Sequence, residues 1–197
     1  MARPSNTAQR REEIVTAMMT VMAQQGYAGA SMAQVARAAG LRQGLLHYHF
    51  ASKQEMLLEV GARLTRIVEE RYAARAAGAG DAVERLEAWL AAHLEVGEDQ
   101  DLTAVRCWVV LGAEALSQPE VAALYTSLLK TRRTQLRALV VEALGSPARA
   151  RVDAVVTALL ACVEGLFRLG VTAPQLVERG SALQVAKLTL DGLLHGK

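Results

Sequence analysis

The stretch Ser31-Met-Ala-Gln-Val-Ala-Arg-Ala-Ala-Gly40, continued by Leu41-Arg-Gln-Gly-Leu-Leu-His-Tyr-His-Phe50, decides the fold. Ser31 stands where a helix N-cap belongs, with Gln34 three residues on, the pattern of a capping box. The spacing predicts a short helix over 32–39 that buries Val35, Ala36 and Ala39. Gly40 closes it, since glycine makes so tight a turn without a Cβ penalty. A second short helix is expected over 42–50, with Leu41, Leu46 and Phe50 turned inward. Two short helices joined by a glycine turn, with the small Ala36 where they cross, describe a helix-turn-helix. Arg42, Gln43, Leu45, His47, Tyr48 and His49 are left for the outer face. Gly44 costs about 1 kcal/mol relative to alanine inside a helix, a cost that close approach of a DNA backbone would justify. A generic tight helical corner fits the same spacing, and the residues alone leave both readings open.

Outward from this stretch the chain reads as a string of helices. A first helix fits 7–25, with Ile14, Ala17, Met18, Val21 and Met22 on one face. Gly26 ends it, as a glycine just past a last turn does. A fourth helix starts after Ser52, a second good N-cap, and runs toward Ala77. The clearest break is 76–81, two glycines ending in the capping Asp81, and composition places a domain boundary near it. Further helices are expected over 81–97, 101–117, 119–144, 149–171 and 176–195. Their joints are the acidic turn 97–101, Pro119, the Gly145-Ser146-Pro147 break and Pro174.

Composition agrees with an all-α chain. Of the 197 residues 52% are hydrophobic and 4% aromatic, so a sizeable core is available and helix is favoured over strand. The longest apolar runs are interrupted by Glu114 and Glu164, so no membrane span is expected. Residues 1–11 lack the apolar segment of a secretory signal. Cys107 and Cys162 each sit in an apolar segment, better read as buried thiols in a reducing cytoplasm than as a disulfide. The charge is uneven: residues 1–53 carry six basic residues (Arg3, Arg10, Arg11, Arg37, Arg42, Lys53) against Glu12 and Glu13, whereas the remainder has sixteen against eighteen. A basic end on a slightly acidic chain suggests a polyanionic partner.

Enzyme classes find little support. The chain has no Gly-x-Gly-x-x-Gly, no phosphate-binding Gly-Lys-Ser/Thr loop and no Gly-x-Ser-x-Gly elbow. His47 and His49, two apart on a helix, point to different faces and make a poor metal pair. No cofactor and no metal are expected.

Residues 31–50, with Ala51-Ser-Lys-Gln-Glu-Met-Leu-Leu58 and the Gly26-Tyr27 pair, resemble the TetR family of bacterial regulators. The Ala-Gly turn, the recognition-helix glycine, the Tyr-His-Phe ending and the Ser-Lys start of the fourth helix fall in register. The resemblance implies a homodimer of nine-helix subunits, with an operator in double-stranded DNA held by the second and third helices and a small-molecule effector among the later ones. By position, Ser31 and Met32 would meet phosphate, Gln43 and Leu45 would face base edges, and Tyr48 and Lys53 would hold the backbone. Two residues depart from the family pattern. Arg42 replaces the usual Ser or Thr cap, leaving it a candidate guanine reader or phosphate clamp, and His47 replaces a common Tyr.

The later helices carry a looser likeness. Residues 105–129, with Leu159 to Leu169, resemble the C-terminal domain of the choline-responsive, betaine-synthesis repressor subfamily. Trp89, Trp108, Tyr125 and Phe167 are candidates for a cage around a quaternary ammonium, although tryptophans in apolar helices are also plain core. Leu111 and His93 join the candidate ligand set. Glu114, costly to bury unpaired, would meet a cationic effector, an arginine or solvent. Glu164 and Arg168 have the spacing of an intrahelical pair. For a four-helix dimer interface the candidates are Val156, Leu159, Leu160, Val163, Gly165, Leu166, Leu183 and Leu190.

The expected fold is therefore all-α. A three-helix helix-turn-helix DNA-binding domain over 1–53 is followed by a helical ligand-sensing and dimerisation domain over 54–197. The expected function is a cytoplasmic, dimeric repressor released by an effector. The alternative is a helical ligand-binding or interaction protein that has lost DNA binding.

Overall fold

The computed structural model describes residues 6–95, 102–145, 148–178 and 180–195. Nine α-helices occur among them: α1 (Asn6–Gly29), α2 (Met32–Ala38), α3 (Gln43–His49), α4 (Lys53–Ala76), α5 (Ala82–Leu94), α6 (Leu102–Glu114), α7 (Pro119–Leu144), α8 (Arg149–Thr172) and α9 (Ser181–His195). A short 3₁₀ turn, Pro174–Leu176, precedes α9. The expected helices all form, with several boundaries moved. α1 runs on past Gly26 to Gly29, and α5 and α6 each end about a turn early, at Leu94 and Glu114. The last helix starts at Ser181 because Pro174 begins a 3₁₀ turn first. The acidic turn at 97–101, and Ser146 and Pro147, lie outside the described residues.

Local chemistry explains the ends. At Gly26 the backbone takes φ 76° and ψ 169°, a left-handed excursion that breaks α1. At the start of α2 the Gln34 N–H donates to Ser31 Oγ at 3.2 Å, and the Ser31 N–H donates to Gln34 Oε1 at 2.8 Å, completing the capping box. Gly40 turns at φ 67°. Glu55 N–H donates to Ser52 Oγ (3.1 Å) at the head of α4, and Glu84 N–H to Asp81 Oδ1 (2.8 Å) at the head of α5. α3 differs: its N-cap is Arg42, which makes no side-chain cap bond.

The chain divides into two compact units, and both are discontinuous in sequence. The first takes α1–α3, α4 as far as Thr65, α6, and α7 as far as Thr126; the second takes the rest of α4 and α7 with α5, α8 and α9. The division thus falls within α4 and α7.

In the first unit Ile14, Met18 and Met22 of α1, Val35 and Ala36 of α2, Leu46 of α3, Phe50, and Met56, Leu57 and Val60 of α4 form the core. In the second, Leu86, Trp89 and Leu90 of α5 are buried, with Leu136 and Val140 of α7, Val156, Leu159 and Val163 of α8 and Ala186 of α9.

Candidate DNA-reading face and sensor core

Leu46 and Phe50 anchor α3 inward, so the helical period turns Gln43, Leu45, His47 and Tyr48 outward. Tyr48 is 77% exposed and Leu45 45%, large side chains that gain nothing from the protein's own core. Gly44 lies in this face, and a Cβ built there meets nothing within 4 Å. Its φ is not positive, so neither backbone conformation nor internal packing requires glycine at this position. Met32 is half-buried and Ser31 exposed, the Ser31 hydroxyl being engaged by Gln34. His49 departs from expectation. It is half-buried, and its Nδ1 has no hydrogen-bond partner among the described residues.

The residue that holds this head together is Arg11, read from the sequence merely as part of the basic end. Its guanidinium stacks 4.0 Å from the Phe50 ring centroid. It also donates to Glu55 at 3.1 Å, to Glu59 at 2.9 Å and to the His49 carbonyl. One side chain thereby joins α1, the end of α3 and the start of α4. Glu55 in turn accepts from the Ala51 N–H (2.8 Å), which together with Arg11 holds its carboxyl below the usual range despite opposing desolvation. Nothing local in the sequence marks Arg11, whose partners lie 38 to 48 residues away.

These bonds correct the charge argument. Arg10 pairs with Glu13 at 2.6 Å and Arg11 with Glu55 and Glu59, while Arg3 lies outside the described residues. Arg37 and Arg42 are exposed, and no ion pair holds them among the described residues. The Lys53 ammonium sits 3.9 Å from the Tyr27 ring centroid. Desolvation lowers its pKa against the opposing pull of Glu114 and Glu120. Among the described residues up to 53, the basic side chains outside any ion pair are therefore Arg37, Arg42 and Lys53.

Glu114 stays partly exposed to solvent, one of the three partners expected for it, and adds a backbone partner that the sequence did not suggest. Its carboxylate accepts the Ala28 N–H at 3.1 and 3.3 Å, securing the end of α6 to the last turn of α1 beyond its break at Gly26. Glycine is required at Gly26 by its positive φ, and a Cβ there would lie 2.6 Å from Glu114 Oε1 and push that carboxylate aside. Leu111 is fully buried in the same unit, and Trp108 and Tyr125 place their rings 4.9 Å apart.

The other candidate ligand residues belong to the second unit. Trp89 and His93 stack with centroids 4.0 Å apart, and Phe167 lies 6.5 Å from His93. Trp89 and His93 are 1% and 2% exposed, yet Trp89 Nε1 and His93 Nε2 have no hydrogen-bond partner among the described residues. Such orphaned buried atoms are uncommon and mark places where a bound molecule can contribute. Burial, followed by the charges of Arg132 and Arg71, pushes the His93 pKa down to about 3, so the imidazole is neutral. Glu164 meets Arg132 of α7 at 3.4 Å, where the sequence had suggested Arg168 of its own helix. The four rings of the expected cage thus fall into two groups, one per unit.

On α8 and α9 the burial overturns half of the expected interface set. Val156, Leu159, Val163 and Leu190 are at most 2% exposed within a single chain, so they have no area left to offer a partner. Leu160, Leu166 and Leu183 are half-buried, and Gly165 is exposed. The opposite face of α8, through Ala154, Ala161 and Gly165, is small and open, and Val185 and Leu188 of α9 are 43% and 67% exposed. With two apolar faces, α8 is by length and composition apolar enough to cross a membrane. Its Asp153 and Glu164 nonetheless form ion pairs with α7.

An all-helical chain whose helix-turn-helix presents α3 in this way is a transcriptional regulator of the helix-turn-helix class. Residues 14–60 match the bacterial regulatory proteins of the tetR family, and residues 82–195 match the BetI-type transcriptional repressor C-terminal family. The chain belongs to the TetR family and carries a BetI-type C-terminal region; it is a regulator and not an enzyme. It is 27% identical over 191 residues to the HTH-type transcriptional regulator BetI of Burkholderia mallei, covering 94% of this chain and 93% of that protein. A transcriptional regulator from Rhodococcus sp. Rha1 has the same fold, with TM-score 0.79 and 25% identity over 94% of this chain and 96% of that one. So does a transcriptional regulator from Saccharomonospora viridis solved in complex with choline, with TM-score 0.75 and 23% identity over 96% and 97%.

Proposed function

We propose that this chain is a homodimeric repressor that holds an inverted-repeat operator through α3 and releases it when a small molecule enters the second unit. The observation that carries the reading is the outer face of α3, where exposed Gln43, Leu45, His47 and Tyr48 surround a glycine that the fold itself does not need. An external surface brought close to the helix gives Gly44 its use, and exposed Arg37 and Arg42 make that surface a polyanion. Gln43 and Leu45 face base edges, while Tyr48, Lys53, Ser31 and Met32 position the backbone. The open face of α8 and α9 is the dimer contact, since an exposed apolar patch of this kind marks an association site. The DNA target places the protein in the cytoplasm, with no membrane role for α8.

Release is carried by α4, one continuous helix that begins at Lys53 in the first unit and ends at Ala76 in the second. An effector biases α4 only if it binds the two arrangements with different affinity, and typical coupling weakens operator binding about 5–150-fold. Binding selections on randomised DNA test the reading head. Gln43→Ala should change which bases are preferred, whereas Tyr48→Phe should lower affinity with preference unchanged. Equal affinity of the parent protein for every sequence would defeat the proposal.

A further inference from the structure

α3 is seven residues long, two turns that would not hold their shape alone. Its N-terminus has no side-chain cap, because Arg42 stands there. At its C-terminus the last carbonyls have no partner within the helix and need donors from elsewhere. The His49 carbonyl finds one in the Arg11 guanidinium, which reaches it from α1, 38 residues away in sequence. The same guanidinium lies 4.0 Å from the Phe50 ring centroid and meets Glu55 at 3.1 Å and Glu59 at 2.9 Å. Glu55 is itself held by the Ala51 N–H at 2.8 Å. These partners belong to the end of α3, the residues just after it and the first two turns of α4. Burial of Leu46 and Phe50 pins α3 to the core, but apolar contact is non-directional and leaves the helix free to rock. A planar fork bonded to a carbonyl and two carboxylates is directional, and it fixes the orientation that burial leaves open.

Charge separates this role from a DNA contact. Two carboxylates face one guanidinium, so the cluster has no positive charge to spare for a phosphate. We infer that Arg11 is a positioning residue for base reading: it sets the orientation in which α3 presents Gln43 and Leu45, without touching DNA itself. The inference rests on the reading of α3 as the DNA-facing helix. Without the brace, α3 samples orientations that do not seat both side chains on base edges. DNA must then select the competent fraction, and apparent operator affinity falls by that fraction. Non-specific attraction to phosphates tolerates many orientations and does not bear this cost.

Arg11→Lys tests it, keeping the charge and the aliphatic stem while losing the fork that serves three acceptors at once. Anisotropy titrations of the full-length protein compare an operator fragment, taken from a selection on randomised DNA, with an unrelated duplex of the same length. Operator affinity should fall about 10–100-fold, the worth of hydrogen bonds to charged groups. The unrelated duplex should bind as it does to the parent. Glu59→Gln loosens the same brace from α4 and decides the matter if Arg11→Lys does not fold. Removing a negative charge would by itself strengthen binding to both duplexes alike, whereas a loosened brace narrows the gap between them. A lower Tm with the operator preference unchanged makes Arg11 a stability residue alone and overturns the inference. Equal weakening on both duplexes, the mark of a lost phosphate contact, overturns it as well. A parent protein that prefers neither duplex removes the reading of α3 itself, and this inference with it. A parent that prefers operator, with variants that keep the preference, removes this inference alone.

Discussion

Replacing Gly44 with alanine separates stability from function in one substitution. Gly44 is the second residue of α3, its φ is not positive, and a Cβ there has no neighbour within 4 Å. Alanine therefore costs nothing sterically and removes the entropy glycine loses on entering a helix, a gain of about 0.5–1 kcal/mol. For a chain of this size such a gain raises Tm by about 1–4 °C. If DNA approaches α3 closely at this point, the added methyl group meets it, and overpacking costs about 1–3 kcal/mol. At 1.4 kcal/mol per decade, operator affinity falls roughly 5- to 150-fold. Circular-dichroism melting and fluorescence anisotropy on an operator fragment read the two effects separately. A variant that melts higher and still binds operator as tightly as the parent would refute the close-approach argument. One that melts lower would refute the structural premise.

Arg42→Ser should restore a side-chain cap to α3, stabilising the protein by about 0.5–1 kcal/mol. In the same variant the salt dependence of DNA binding should flatten by about one unit, as loss of a phosphate contact requires. Leu188→Glu, at a position 67% exposed in the single chain, should leave the circular-dichroism spectrum intact while sedimentation shows monomers and operator affinity collapses. Acid stability tests His93. Its folded pKa of about 3 lies below the unfolded value near 6.5, so the unfolded chain binds the extra proton. Its contribution is full above about pH 6.5 and is lost as pH falls toward 3, with Arg132 and Arg71 opposing protonation throughout. The decline in Tm should begin near pH 6.5 and be flattened in that window by His93→Phe.

The reading head was legible because its signals are local. Ser31 with Gln34, Gly40, and the inward spacing of Leu46 and Phe50 are each fixed within a turn or two of chain. Arg11 was not legible, since its worth comes from Phe50, Glu55 and Glu59, which the fold and not the sequence brings to it. Glu114 shows the same limit: a carboxylate in an apolar run must find a partner, but sequence could not nominate a backbone amide 86 residues away. On α8 the period of the apolar residues was right while their destination was not. Val156, Leu159 and Val163 belong to the chain's own core, and hydrophobic spacing does not tell an internal face from an interface. Of the small residues opposite them Gly165 is picked out, whereas Ala154 and Ala161 carry too little hydrophobicity to stand out in the sequence.

Nuclease footprinting on the DNA flanking the protein's own gene tests the central claim most directly. A two-fold dimer presenting two α3 helices predicts protection of an inverted repeat, with half-site centres about 34–36 Å apart or at a multiple of that spacing. Protection should vanish with Leu188→Glu. Uniform, sequence-independent protection, or a single unrepeated site occupied equally well by the monomeric variant, would contradict it.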